Sequence, residues 1–366
     1  VLAMSPKSDG SGVVFSIDDA VESKGGNAAQ KREHDKRLGA GTMSRAGAKC
    51  PCCPSIMTME DIRLEGQAGR LGTLLTAVVS ETAQGKIYRL PTPEEIRTAA
   101  PDDSALEQTF ANIPFGLPTE PSPKGGGSGA GRAFSVQGYG LMTWRDLFTR
   151  RQLLALGRFV SASREAGAAL RAEGYSDEWT RALRAYAACI ISRTADYMAL
   201  LCVWEKGAEE VKHLFMRWAL PFTWDFAEAN PLAPIERFFQ GGINSAFRVL
   251  TALHRCSWKG TVPPHIQNRS AIQQDEGLFD VVFTDPPYYD AIPYSDLMDF
   301  FYIWLRRAIA DIDPAHQHAF ANPLAPKWNA TTNDGELIDD ESRHEGSAQK
   351  SKQSYEDGMY RAFAAA

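Results

Sequence analysis

The sequence has no long hydrophobic run and no excess of basic residues. None of its apolar segments approaches the ~18 residues that a membrane-spanning helix needs, and no charged-then-apolar leader opens the chain. These absences argue against a membrane protein and predict a cytoplasmic one. The net charge of −6 at pH 7 argues against a protein that coats nucleic acid by charge alone. An enzyme with a local basic groove is compatible with that charge.

Cysteines are few, and most of them are scattered. The six cysteines do not suggest a disulfide framework, and Cys189, Cys202 and Cys256 are expected to be small buried residues in apolar surroundings. Cys50 and Cys53 have the Cys-x-x-Cys spacing that brings two thiolates to one tetrahedral zinc ion. A structural zinc site needs two further ligands, and the chain has no second pair of this kind. The pair therefore predicts half of a zinc site, with an incidental reduced pair as the alternative.

The 44% of hydrophobic and 23% of charged residues predict a largely globular chain, and composition divides it into five segments. They are a poorly ordered polar segment (1–45), a zinc-knuckle and small α+β segment (46–114), a flexible Gly/Pro linker (115–135), a helical region (136–260) and a truncated catalytic part (261–366). The glycine run Gly125–Gly131 has no strand before it and no Lys-Ser/Thr after it. A flexible connection is therefore favoured over a phosphate-binding loop.

Local patterns predict several elements. Leu74–Ser80 and Lys86–Leu90 have the composition of two short strands. Thr92 is expected to cap a helix, with Glu95 completing a capping box. Helices are predicted between residues 144 and 253, where the apolar side chains recur at helical spacing. The positions that carry this spacing are Leu153, Leu156 and Val160 in one helix and Leu183, Tyr186 and Ile190 in the next.

A strand, an irregular loop and a helix are predicted in succession in the last hundred residues. Leu278–Thr284 is apolar and rich in β-branched residues, which predicts a buried strand, and a long apolar helix is expected from about Ser295 to Arg307. Between them lies Asp285-Pro286-Pro287-Tyr288, here called the DPPY loop. This order is typical of an open parallel α/β sheet, in which ligands bind at the carboxyl ends of the strands.

The DPPY loop has the residue types that methylation of an exocyclic amine requires. The amine of adenine or cytosine is conjugated with the ring and is a poor nucleophile. Asp285 offers a carboxylate oxygen, and the backbone carbonyl of Pro286 offers a second acceptor on a loop that two prolines stiffen. Tyr288 offers a flat ring for stacking on a base that has left the duplex. The alternative is that Asp-Pro-Pro only ends the strand and that Tyr288 only packs.

The sequence around the loop resembles the bacterial adenine-specific DNA methylases that contain an embedded zinc ribbon. The resemblance spans most of residues 42–363 and rests on the cysteine pair, Tyr139-Gly140, Trp144 through Leu156, Trp224 through Pro231, Thr284 through Asp290 and Tyr294 through Arg307. It implies an α/β fold, a partial Rossmann-like methyltransferase sheet with a large helical insertion. It also implies S-adenosylmethionine-dependent transfer of a methyl group to adenine N6 in DNA. Asp285, Pro286, Pro287 and Tyr288 take the catalytic positions.

Two departures from that family lead to the expectation of a fragment. The Gly-rich cofactor loop that such enzymes carry before the tetrapeptide is absent, so no cofactor-binding residues are assigned. The last strands of the sheet are absent too, and the second zinc-binding pair is expected upstream of Val1. We therefore expect the isolated chain to be inactive and to bind S-adenosylmethionine weakly.

The nucleic-acid contacts and the substrate leave alternatives open. Arg150 and Arg151, near Arg145 and Arg158 on one helix, are candidates for phosphate contacts, and a solvated helix face is the alternative. The acidic tract 334–341 is expected to be an exposed loop that repels DNA. Loops of this type also serve enzymes that methylate guanine amines in ribosomal RNA. A non-catalytic nucleic-acid-binding remnant is the third possibility.

Overall fold

The chain divides into two compact units. The computed structural model describes residues 1–18, 26–38, 41–44, 46–125, 129–233, 238–256, 262, 264–267, 269–273, 277, 279–290, 292–312 and 314–365. The first unit is Val1–Pro101 with Gly138–Gly140, and the second is Asp102–Gln137 with Leu141–Ala366.

The first unit contains small antiparallel sheets and short helices. Its elements are β1 (Leu2–Pro6), β2 (Val13–Ile17), α1 (Ala28–Leu38), β3 (Met43–Ser44), β4 (Gly47–Lys49), β5 (Ile56–Thr58), α2 (Met59–Gln67), β6 (Val78–Thr82), β7 (Gly85–Arg89) and α3 (Pro93–Thr98). Strands β1 and β2 form one hairpin, β3, β4 and β5 form a three-stranded sheet, and β6 and β7 form a second hairpin.

Two predictions for this unit are confirmed and one is wrong. The two predicted short strands form as β6 and β7, although β6 begins at Val78 rather than at Leu74, and Thr92 and Glu95 form the capping box of α3. Residues 1–45 were predicted to be poorly ordered, but their described part contains β1, β2 and α1. The strands of that hairpin, LAMSP and VVFSI, are short apolar stretches within a mainly polar segment, and they pair with each other in antiparallel register.

The second unit is mainly helical. Its elements are α4 (Asp103–Phe110), α5 (Arg150–Ala172), α6 (Asp177–Ala195), β8 (Val203–Glu205), β9 (Glu210–Lys212), α7 (Phe239–Arg255), α8 (Tyr294–Ile309) and α9 (Ala348–Ala365). Short 3-10 helices lie at Gly129–Ala133, Val136–Tyr139, Trp144–Leu147, Pro314–Phe320 and Glu341–Arg343.

Helix α8 lies at the centre of the core of the second unit. The Phe300 ring stacks on Phe148 with 5.6 Å between centroids and meets Trp144 edge-on at 5.9 Å. Trp304, one turn further along α8, meets Phe148 at 5.5 Å. The predicted helix around residues 295–307 is confirmed, because α8 covers it. Helix α8 packs against α5 and α6, and its first residue, Tyr294, follows the end of the DPPY loop by six residues.

The predicted helices of the middle region form, although one of them buries a different face. Leu153, Leu156 and Val160 of α5 are all buried, as predicted. In α6, Leu183 is exposed, and Ala188 and Ile191 are buried instead. The α6 sequence offers apolar residues on more than one side. Contact with the neighbouring helices, rather than periodicity, selects the buried side.

The segment predicted as a flexible linker, 115–135, packs into the second unit. Glu120 is buried and accepts hydrogen bonds from the fully buried Arg307, at 2.9 Å from both of its terminal nitrogens. Arg307 also donates to the carbonyls of Gly116 and Leu117, at 2.6 and 2.8 Å. The linker prediction is wrong for the described residues, because a buried cation in α8 binds the backbone of this segment.

The boundary predicted at residue 114 is also displaced. Leu106 and Phe110 of α4 are buried in the core that contains Trp304, so the second unit begins at Asp102. The regions 136–260 and 261–366, predicted as separate parts, share that core, since α8 packs on α5 and α6. An amphipathic helix indicates that it has a buried face but not which neighbour covers it.

The strand predicted before the DPPY loop does not form. Leu278 lies outside the described residues, and residues 279–284 have no regular structure. Their apolar side chains are exposed, and Phe283 is 93% exposed. A strand needs hydrogen-bonded neighbours, and the described strands form only antiparallel sheets of two or three strands that do not include this segment. A Rossmann-like parallel sheet therefore stays a prediction.

Of the three cysteines predicted to be buried, one is buried and two are exposed. Cys202 is buried as predicted, whereas Cys189, on α6, and Cys256, the residue that follows α7, are exposed. No helix in the described part of the chain combines the length and the hydropathy needed to cross a membrane.

Candidate active site

The DPPY loop leads into α8 and presents three of its residues to solvent. Asp285 and Pro286 are exposed, and the Tyr288 ring is 62% exposed. Within the part of the chain that the structure describes, neither the Asp285 carboxylate nor the Pro286 carbonyl takes part in a hydrogen bond. Both acceptors are therefore available to a donor from outside the loop.

The other side of the loop is held by hydrogen bonds. The Tyr355 hydroxyl of α9 donates to the Pro287 carbonyl at 2.7 Å. The backbone N–H of Asp339 donates to the Tyr289 carbonyl at 2.9 Å. The Tyr289 ring meets the Tyr355 ring edge-on, with 4.6 Å between centroids. The loop is thus fixed through Pro287 and Tyr289, and Tyr288 between them faces solvent.

Tyr294, the first residue of α8, belongs to the same neighbourhood. Burial raises the pKa of its phenol, and the adjacent Tyr288 and Asp285 raise it further. A phenol is protonated at neutral pH even without such a shift, so the Tyr294 hydroxyl is a hydrogen-bond donor in the neighbourhood of Asp285.

A network of charged side chains fixes the start of α8. Glu336 accepts a hydrogen bond from the Ser295 backbone N–H at 2.7 Å and also pairs with Arg343. Arg343 in turn pairs with Asp296 at 2.7 Å. Glu336 thereby occupies a free backbone donor at the positive end of the helix, where a carboxylate is stabilising.

The acidic tract 334–341 was predicted to be an exposed loop, and that prediction is wrong. Asp340 is 4% exposed, and Asp339 accepts a hydrogen bond from the buried Ser351 hydroxyl at 2.5 Å. Arg343 pairs with Glu336, and the Ser351 hydroxyl donates to Asp339. Through its backbone N–H, which donates to the Tyr289 carbonyl, Asp339 places this tract beside the DPPY loop. A run of acidic residues does not by itself reveal such partners.

Asp299, one turn into α8, is a buried acid that shares Lys327 with Asp296 of this network. Its carboxylate pairs with Lys327 at 2.8 Å and accepts a hydrogen bond from the Ala325 backbone N–H at 2.6 Å. Burial raises the pKa of Asp299 to about 6, against the lowering effect of the Lys327 charge. Between pH 4 and 6 the folded protein therefore holds a proton here that the unfolded chain releases.

The sequence motif identified the loop but not the residues that support it. Ser351, Tyr355 and Gly358 face the loop region from α9, and their spacing of four and three residues places them on one side of that helix. This spacing was visible in the sequence. The polar character of Ser351 and Tyr355, however, gave no sign that this side is turned inward.

Cys50 and Cys53 lie in the turn between β4 and β5, in the first unit. The Cys50 backbone N–H donates to Ser55 O at 2.9 Å, and the Cys52 N–H donates to the Cys50 Sγ at 3.4 Å. Hydrogen bonds from the Ser55 side chain, then its backbone, and then from Cys50 lower the pKa of Cys53. A lowered pKa favours the thiolate, the form that binds metals.

These two thiols do not by themselves complete a zinc site. Among the described residues, no three His, Cys, Asp or Glu side chains are close enough to share a metal ion. A tetrahedral structural site requires four ligands, so residues outside this set would have to supply the others.

The two arginines predicted to contact DNA both have carboxylate partners. Arg150 pairs with Asp103 at 3.0 Å. Arg151 binds Glu228 through two of its nitrogens, and its Nε lies 2.7 Å from a carboxylate oxygen. A phosphate would have to compete with these carboxylates, so the arrangement gives phosphate contacts no support.

The described residues do not form a cradle for S-adenosylmethionine. In an open α/β fold, that cofactor lies across parallel strand ends beside a Gly-rich turn. The described sheets are all antiparallel, and the glycine run, as far as it is described, ends in the 3-10 helix Gly129–Ala133. The cofactor-binding residues therefore stay unassigned.

Comparisons of the chain with protein-family models, with curated proteins and with solved structures give no significant match. The sequence and geometry of the DPPY loop are therefore the basis for inferring a function.

Proposed function

We propose that this chain carries the base-binding loop of a DNA adenine-N6 methyltransferase. The observation that supports the proposal is the two-sided loop. Pro287 and Tyr289 are bound by the protein, whereas Asp285, Pro286 and Tyr288 are presented to solvent. The anchored backbone fixes the loop, and its exposed side leaves two acceptors and an aromatic ring available to a ligand.

Each presented group has a separate task in the proposed reaction. The Asp285 carboxylate and the Pro286 carbonyl accept hydrogen bonds from the two N–H groups of the exocyclic amine. They orient the nitrogen lone pair and stabilise the positive charge that develops on it during attack. Tyr288 stacks on the face of the flipped base, because the amine is out of reach inside a duplex. Two prolines fix φ and keep these groups in place before the base arrives.

The proposed methyl donor, S-adenosylmethionine, and the proposed metal, zinc, are both inferred from the family resemblance. S-adenosylmethionine would supply an electrophilic methyl group, held by residues outside those described. Cys50 and Cys53 would supply two of the four zinc ligands, and the lowered pKa of Cys53 supports its role as a thiolate. Adenine and DNA, as opposed to guanine and RNA, also come from the resemblance.

Replacing Asp285 tests the proposal. In the full-length protein, Asp285→Ala should lower the rate of methyl transfer to DNA by at least about 100-fold, the size of the loss when one group that stabilises developing charge is removed. Asp280→Ala is the matched control, because Asp280 is an exposed carboxylate on the same segment. The assay is incorporation of labelled methyl groups into unmethylated DNA. Wild-type turnover by Asp285→Ala would reject the role of this loop.

A further inference from the structure

Helix α9 packs closely behind the DPPY loop through one side. Ser351 is fully buried on that side, and its hydroxyl donates to Asp339 at 2.5 Å. A side chain at Gly358 would collide with Leu337, since a Cβ placed there would lie 2.2 Å from a Leu337 methyl carbon. These two contacts, above and below Tyr355 on the helix, hold α9 against the segment that binds Tyr289.

Tyr355 is the residue of this side that touches the loop. Its hydroxyl donates to the Pro287 carbonyl, and its ring contacts Tyr289. Burial, and then the Tyr289 phenol, raise the pKa of Tyr355, and a phenol is already a protonated donor at neutral pH.

The contact at Pro287 directly follows the two acceptors, Asp285 and Pro286, in the chain. A residue that precedes proline is restricted to extended backbone, which applies to both Asp285 and Pro286. The Pro287 carbonyl is bound by α9, whereas the Pro286 carbonyl, one peptide earlier, belongs to an exposed residue and makes no hydrogen bond among the described residues.

We propose that Tyr355 is a positioning residue, whose hydroxyl holds the Pro287 carbonyl so that Pro286 and Asp285 present their acceptors to the amine. This inference rests on the proposed function. Helix α9 contains no residue of the tetrapeptide, but through Tyr355 it fixes the geometry of the groups that bind the amine during methyl transfer. Misplacement of reacting groups by about 1 Å lowers transfer rates by as much as about 100-fold, so a single hydrogen bond behind the loop matters to the rate.

The test is Tyr355→Phe in the full-length protein, which removes the hydroxyl and keeps the ring. Tyr360→Phe is the matched control, because Tyr360 is on the same helix and is 76% exposed. We expect kcat for adenine methylation to fall about tenfold in Tyr355→Phe, with KM for DNA and the melting temperature unchanged. Hydrogen exchange should be faster in Tyr355→Phe than in the control at the Asp339 amide, which donates to the Tyr289 carbonyl beside the loop.

The results distinguish the positioning role of Tyr355 from the proposed function of the DPPY loop. Normal kcat and normal hydrogen exchange in Tyr355→Phe would overturn the positioning role and leave the proposed function intact. An equal fall in Tyr360→Phe would likewise overturn it. A wild-type full-length protein that transfers no methyl group to adenine would overturn both, whatever the exchange rates show.

Discussion

Pro287 and Tyr288 are neighbours in the chain, yet one is bound by a helix and the other faces solvent. The sequence was sufficient to predict this loop, because Asp-Pro-Pro-Tyr restricts its own backbone and contains its own acceptors. It was not sufficient to predict Tyr355 as the partner of Pro287, 68 residues away. A phenol in an amphipathic helix has no local feature that distinguishes a positioning residue from a surface one.

Tyr288 should bind the flipped base through its ring rather than through its hydroxyl. Tyr288→Ala should weaken capture of the base by about 1–3 kcal/mol, whereas Tyr288→Phe and Tyr288→Trp should retain most of it, because stacking needs only an aromatic face. Fluorescence of 2-aminopurine, placed at the target adenine and bound by the full-length protein, reports the unstacked base. Equal losses in Tyr288→Phe and Tyr288→Ala would show that the hydroxyl carries the interaction.

Among the secondary-structure elements, the helices were predicted best from the sequence. The ion pairs that join separate elements were not predicted. Apolar periodicity predicts α5 and α8, because each buries a stripe of its own side chains. Arg307 also lies on α8, but its partner Glu120 is 187 residues distant, in a segment rich in Gly and Pro. The composition of that segment predicts a linker, and only the fold shows that its backbone surrounds a buried guanidinium.

Removing the charge of Glu120 should destabilise the second unit. Glu120→Gln leaves the fully buried Arg307 guanidinium, whose pKa burial lowers, without its counter-charge. Breaking a buried pair from one side costs about 3–5 kcal/mol, so the free energy of unfolding in urea should fall by that amount. Glu107→Gln, on the exposed side of α4, should change it by less than about 0.5 kcal/mol. Similar small effects from both variants would contradict the burial of this pair.

Asp299 should make the stability of the chain depend on pH. Its folded pKa of about 6 lies above its ordinary value of 3.8, so its stabilising contribution is complete below pH 4 and is lost as the pH rises through 6. Relative to Asp299→Asn, the wild type should lose about 3 kcal/mol of unfolding free energy between pH 4 and pH 7. Lys327→Met should move the transition to higher pH, because the Lys327 charge lowers the pKa of Asp299. Parallel pH profiles for the wild type and Asp299→Asn would refute this assignment.

For the whole molecule, the elements that depend on distant partners were predicted least well. The residues 279–284 have the composition of a central strand, with apolar side chains that both faces of a parallel sheet would cover. In the described structure they pair with no strand, and their side chains are exposed. Composition gives a segment a preference for strand conformation, but a sheet forms only where neighbouring strands are present to pair with it. The loop that follows keeps its fixed shape because α9 and the segment at Asp339 hold it instead.

The identity of the methylated nucleoside tests the central claim most directly. The full-length protein is incubated with methyl-labelled S-adenosylmethionine and with unmethylated DNA or RNA in parallel, and the digested nucleosides are separated by mass spectrometry. We predict label in N6-methyladenine from DNA, and its loss when Asp285→Ala replaces the wild type. Label on the amino group of guanine in RNA, or no labelled nucleoside at all, would contradict the account.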